Sequence, residues 1–266
     1  LRSVIGLRTC RGVAHAVVEQ NDGFLEFFIR RCRLEVLAAV QMSLLTLMLG
    51  VCHTTVPPSS TLQTGDLVFV SPPLDRAVPI DAAILETGAA TIAWLRDTAK
   101  VPVRSNSTAT HVALAQRNAS GLYFVEAIPP AVTVTAEREF WERESPGTRW
   151  HRGVLRAVNV SVKAAAVAIA SAQLGKPYAT LFEPPSSGEF YCSSLAEYAY
   201  RAALATPHVF VDQRFTLIFE PLAFWVKYYA AMGEKLPVNA SGSNPTLLLH
   251  SPAVAASDVG PSREVH

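Results

Sequence analysis

Downstream of residue 52 the chain holds one cysteine, Cys192, so no intrachain disulfide can staple the region that follows. Neither cysteines nor histidines are spaced as C-x-x-C or H-x-x-x-H, which argues against a zinc site, and no cofactor is expected. Charge of one sign is also missing: 23 Lys and Arg face 22 Asp and Glu, for a formal net charge of +1. With no basic stripe interleaved with aromatics, nucleic acid is not expected as a partner. No internal repeat is found, which argues against a solenoid. What is there is a chain of 266 residues, 50% hydrophobic and 17% charged. That suits one globular domain of about 200 residues plus extensions.

The N-terminal part reads as an address. "RRCRLE" (30–35) precedes "VLAAVQMSLLTLMLGVC" (36–52), an apolar run with small residues before a polar segment. A basic n-region followed by such a run is the pattern of a secretory signal. A signal-anchor helix is the competing reading, and an uncleaved anchor is the one route by which a membrane would be a partner. Of six asparagines, four open N-x-S/T: Asn106, Asn118, Asn159 and Asn239. They are expected as glycosylation acceptors, which agrees with a secreted or endomembrane-lumen protein.

Residues 1–60 are therefore read as leader and linker, 61–250 as one domain, and 251–266 as a disordered tail. Within the domain, "DLVFV" (66–70) reads as a strand and 81–99 as a helix weakened by Gly88. "HVALAQ" (111–116) and "LYFVEAI" (122–128) are joined by "RNASG", which suits a tight hairpin. "AVTVTA" (131–136) and "GVLRAV" (153–158) are further strands. Ser161 is a candidate cap for an alanine-rich helix stopped by Gly175 and Pro177. Two more helices are expected from Cys192 to about Ala203 and over 220–233. The class is α+β, with an antiparallel sheet packed against helices.

Cys192 separates a loop, "PPSSGEFY", from "SSLAEYAYRAA", whose Leu195, Tyr198, Ala199 and Ala202 are spaced as one helical face. That puts the sulfur at a helix N-terminus, where free N–H groups and the macrodipole favour a thiolate and can hold an oxyanion. The alternative is a small buried hydrophobe. A thiolate nucleophile needs a proton-transferring partner. Of His111, His151, His208 and His250, only His111 opens a strand, on a face where the small Ala113 and Ala115 leave room for a substrate or a nucleophile. Glu126 is the sole charge in its strand. In one hairpin register it lies opposite His111, in the other opposite Ala113 and diagonal to His111, roughly 5 to 8 Å away in either case.

"GDLVFV", "THVALAQ", "YFVEA", "ASAQLGKPY" and "FYCSSLAEYAY" stand in an order that resembles the permuted papain-like hydrolases of the YiiX/YebB type. These are distant relatives of NlpC-type peptidases and of lecithin:retinol acyltransferase. The histidine strand precedes the cysteine helix here, which is the permuted order. The resemblance implies a permuted papain-like (NlpC-type) fold with Cys192 as nucleophile, His111 as base and acid, and Glu126 as the orienting group. It also implies that Tyr178 and Ser193 contact substrate or oxyanion, with core packing as the other reading of Tyr178. Two positions depart from the family: Ser194 stands where an acid is usual, and Ala179 where aspartate is common.

The function expected is that of a cysteine hydrolase cleaving an amide or ester through an acyl-enzyme. Its substrate is a small-molecule, peptide or lipid acyl compound. A lipid acyltransferase or thioesterase of the same fold, or a catalytically silent binding module, is the alternative. The helix over 220–233 either lines a lipid-accepting groove or is simply core.

Overall fold

The structure, a computed structural model, describes residues 61–182, 188–211 and 215–259. The leader and linker expected over 1–60, and the last seven residues of the tail, lie outside the described residues.

Six strands form one antiparallel sheet: β1 (Leu67–Ser71), β2 (His111–Asn118), β3 (Gly121–Ile128), β4 (Ala131–Ala136), β5 (Arg149–Leu155) and β6 (Val254–Val259). Their spatial order is β4-β3-β2-β1-β5-β6. Among the described residues six α-helices accompany them: α1 (Pro79–Asp97), α2 (Glu137–Glu142), α3 (Val160–Ser171), α4 (Cys192–Leu204), α5 (Leu222–Ala231) and α6 (Pro245–Leu249). The sheet is antiparallel with helices on it, so the chain is an α+β protein.

Alternation along the strands makes two cores. One face carries Leu67, Phe69, Val112, Leu114, Val125 and Ala127, covered by α3 and α4 through Ala166, Val167, Ala170, Leu195, Ala196 and Ala199. The other carries Val68, Val70, Ala113, Ala115 and Phe124, covered by Phe140 and Trp141. Those rings stack on one another, Phe124 and Phe140 with centroids 3.9 Å apart. The small side chains of β2 therefore make room for an aromatic cluster rather than for a substrate.

The β2–β3 hairpin pairs Leu114 with Val125 and Asn118 with Gly121, leaving Ala119 and Ser120 as a two-residue loop. Gly121 has φ +136, which suits glycine at the turn exit. Of the two registers open from sequence, this one continues to Ala113 opposite Glu126.

At the start of β1, Asp66 is fully buried and ion-paired to Arg152 at 2.6 Å and Lys163 at 3.2 Å. The acid of "GDLVFV" thus ties β1 to β5 and α3, a structural task. Gly88 explains its own place in α1: a Cβ there would stand 2.5 Å from Thr246 Oγ1 and 3.1 Å from Thr108 Cβ. Its cost to the helix is offset by the close seat it gives α6.

Four expectations are corrected. The chain beyond 250 is not all patternless tail, because Val254–Val259 pairs along β5 from Trp150 to Leu155. Tertiary hydrogen bonding overrides a weak local signal there. The strand expected over 153–158 is β5, shifted back to Arg149–Leu155. Helix α3 is capped by Asn159, whose side-chain oxygen accepts from Val162 N at 2.9 Å, rather than by Ser161. The buried face of α4 runs through Leu195, Ala196, Ala199 and Tyr200, while Tyr198 is 37% exposed. Tyr200 takes the inner place because its hydroxyl finds the Gly65 carbonyl.

Candidate active site

Cys192 is the first residue of α4, preceded by Tyr191 in extended conformation at the N-cap. The helix starts there because the chain enters from a loop and Ser194 closes the cap. Tyr191 N donates to Ser194 Oγ at 3.0 Å, and that hydroxyl donates back to the Tyr191 carbonyl at 2.9 Å. Ser194 is the third helical residue, where a capping-box acid accepts the same bond. The departure from an acid at this position therefore keeps the helix start intact. Ala179, the other departure, is buried and donates its N–H to the Phe190 carbonyl, a place ill suited to a charge.

Cys192 is 6% exposed and belongs to the main core. Both readings of this cysteine thus describe part of its surroundings: it packs as a small apolar group and also borders a cleft. His111 is what separates them. It opens β2 at the end of the sheet, and its imidazole meets Glu126 on one side and Cys192 on the other. Nε2 lies 2.6 Å from Glu126 Oε2, which leaves Nδ1 for the sulfur.

Glu126 has no solvent exposure, yet it is fully partnered. Arg143, the residue after α2, donates from Nη1 to Oε1 at 2.8 Å and from Nη2 to Oε2 at 2.9 Å. Thr135 on β4 donates its hydroxyl to Oε1. Burial alone raises a carboxyl pKa, but the hydrogen bonds and charges of His111 and Arg143 win and hold Glu126 at about 2. For His111, burial opposes the positive charge, while Cys192 and Glu126 outweigh it and raise the pKa to about 10. The imidazolium form of the histidine is thus favoured by the carboxylate of Glu126 on one side and by Cys192 on the other.

Arg143 and Thr135 are the residues that sequence reasoning missed. Thr135 had a signal, since it shares a sheet face with Thr133, the residue paired with Glu126. Arg143 had none, because a six-residue helix with no marked cap brings it to the site.

The cleft beside Cys192 holds about 50 Å³. Ile84, Phe182, Leu217, Ile218, Phe219 and Trp225 make most of its wall, and no charged side chain lines it. Tyr178 and Ser193, both expected at the site, border it too. Tyr178 also packs on the main core, as its core-packing reading expects. Burial and the nearby Cys192 charge raise its pKa, keeping the phenol neutral. Ser193 is fully buried, and its hydroxyl makes no hydrogen bond among the described residues. In helix α5, Trp225 and Tyr229 are buried, and Trp225 also lines the cleft.

His151 and His250 lie elsewhere: His151 pairs with Asp258 at 2.8 Å and His250 with the Ser107 carbonyl at 2.7 Å. The four sequon asparagines, Asn106, Asn118, Asn159 and Asn239, are all exposed. No described helix is long and apolar enough to cross a membrane.

Over residues 61–256 the chain matches the family described as permuted papain-like amidase enzyme, YaeF/YiiX, C92 family. Among solved structures it resembles YiiX from Escherichia coli O157:H7, with TM-score 0.55 and 19% identity over 73% of this chain and 96% of that one. That protein is described as a metalloprotein. Among the described residues here, no group of three or more His, Cys, Asp or Glu side chains is placed to hold a metal ion. No curated protein matches the chain.

Proposed function

Because this chain belongs to the permuted papain-like amidases of the YaeF/YiiX type, we propose that it is a cysteine hydrolase working through an acyl-enzyme on Cys192. The observation that supports this reading is the contiguous chain Cys192, His111, Glu126, with the histidine held in its protonated form. The Cys192 thiolate attacks the carbonyl carbon of an amide or ester, and the oxyanion that forms lies by the first N–H groups of α4. The tetrahedral intermediate collapses as the His111 imidazolium gives its proton to the leaving amine or alcohol. The acyl group is left as a thioester on Cys192. His111, now neutral, takes a proton from water as the hydroxide attacks the thioester. A carboxylic acid departs, and thiolate and imidazolium are restored.

The acyl group occupies the cleft of Ile84, Leu217, Phe219 and Trp225, whose walls carry no charge to match an ionised group. One water-sized space needs roughly 10–15 Å³, so a cleft of about 50 Å³ favours a short, uncharged acyl chain. Transfer to an alcohol or amine in place of water uses the same thioester, and the acceptor is the sole difference. Passage through a secretory pathway is part of the proposal, supported by the exposure of all four sequons.

The test is product profiling of a library of acyl esters and amides, wild type against Cys192→Ala. Products that disappear with the thiol support the reading; identical product spectra sink it.

A further inference from the structure

Resting on that hydrolase reading, we infer that Arg143 is a positioning residue for deacylation: it keeps Glu126 a hydrogen-bond acceptor and so fixes which nitrogen of His111 carries the proton, leaving the one that faces the thioester free to accept. Each oxygen of Glu126 has two partners, Thr135 and Arg143 Nη1 on Oε1, His111 and Arg143 Nη2 on Oε2. A carboxylate with no solvent exposure cannot draw on water for its charge and takes up a proton unless a cation compensates it.

In the resting site Glu126 lies between two cations, the His111 imidazolium and the Arg143 guanidinium. In the acyl-enzyme the sulfur is neutral and His111 has given up its proton, so Arg143 is the remaining cation against Glu126. With Glu126 ionised, a neutral His111 must donate Nε2–H to Oε2, which leaves the Nδ1 lone pair toward Cys192, ready to take a proton from water. With Glu126 protonated, the carboxyl donates to Nε2 instead. The ring proton then moves to Nδ1, and the nitrogen facing the thioester has no lone pair to offer.

The charged neighbours are few. Glu126 faces His111 from β2 and Arg143 from the end of α2, and His111 also faces Cys192 from α4. Arg143 has a second, looser carboxylate in Glu144, whose Oε1 is 3.6 Å from Nε, and its guanidinium lies 5.3 Å from the Phe140 ring centroid. Arg143 is 30% exposed, so its own hydration is retained at the rim while its fork reaches the buried acid.

The test is pre-steady-state kinetics with an activated ester, in which the release burst reports acylation and the steady phase deacylation. Arg143→Met should slow deacylation ~10-fold or more at pH 6 while changing acylation much less, and should move the acid limb of deacylation up by at least about one pH unit. Arg143→Lys, which keeps the charge with one donor point, should recover most of that limb. In a Glu126→Gln background, Arg143→Met should add little, since the carboxyl whose ionisation it controls is gone.

A folded Arg143→Met with an unchanged deacylation profile overturns the inference. So does an equal fall in both phases with no shift of midpoint, or a full additional loss in the Glu126→Gln background. If Arg143→Met does not fold, Arg143→Lys and the double variant carry the decision.

A second arm needs no turnover. With Cys192 capped by methyl methanethiosulfonate as a neutral thioester mimic, nitrogen NMR of His111 should show the Nε2–H tautomer in wild type and Nδ1–H in Arg143→Met at mildly acid pH. The same tautomer in both proteins contradicts the proposal. Absence of Cys192-dependent turnover in wild type would remove the hydrolase reading but leave this arm standing.

Discussion

His111 and Glu126 meet on the diagonal of a hairpin, with Nε2 and Oε2 2.6 Å apart. The register that seats Glu126 across from Ala113 leaves the imidazole leaning over one strand pair to reach it. From that contact the charge states of the whole site follow, and so do the expectations below.

Stability should depend on pH in two windows. Glu126 is held at about 2 against an ordinary 4.5, so its contribution is complete above 4.5 and lost as pH falls toward 2. His111 is raised to about 10 from 6.5, so its contribution is complete below 6.5 and lost as pH rises toward 10. Melting temperatures should therefore be highest between about pH 4.5 and 6.5 with respect to these two groups. Glu126→Gln should flatten the acid slope, and an acid slope as steep as in wild type would show that other carboxylates set it.

Replacing His111 by Asn keeps a polar side chain but removes the mobile proton. Turnover of an amide should fall by ~10² to 10⁴, the usual share of a positioned acid–base group. A kcat within a few-fold of wild type would mean that another group moves the proton.

The cleft makes a prediction about chain length. Across a series of p-nitrophenyl esters, kcat/KM should favour short uncharged acyl groups over long or carboxylate-bearing ones. Leu217→Ala should move the optimum to longer chains by enlarging the wall. An unchanged profile would place the acyl group elsewhere.

Ser194→Ala should lower stability by about 1 kcal/mol in urea unfolding, since it removes the hydroxyl that closes the start of α4. No change would mean that the cap is made by other groups.

Much of the fold was legible because β1 to β4 are short apolar or β-branched runs bounded by turn residues, and because α1 and α4 carry helical spacing and α3 is rich in alanine. Strand β4 falls on 131–136 as read, and α4 begins at Cys192 as read. What was not legible is short or depends on distant partners. Helix α2 has six residues, too few for periodicity to speak, and β6 is an edge strand held by β5 alone. The same holds within the site. Cys192, His111 and Glu126 announced themselves by residue type at a helix start and on a hairpin. Arg143 is an arginine among several acids, and only the tertiary path of α2 brings its fork to Glu126. The small face of β2 misled for a related reason: Ala113 and Ala115 make room, but for Phe140 and Trp141, which come from that same unread segment.

The central claim, that Cys192 carries the acyl group, is tested most directly by acid-quench peptide mapping after brief exposure to an activated ester. Mass spectrometry should find one acyl group on the peptide bearing Cys192, bound as a thioester that hydroxylamine releases, and none in Cys192→Ala. An acyl group on another residue, or turnover with no adduct while Cys192→Ala remains active, would contradict the account.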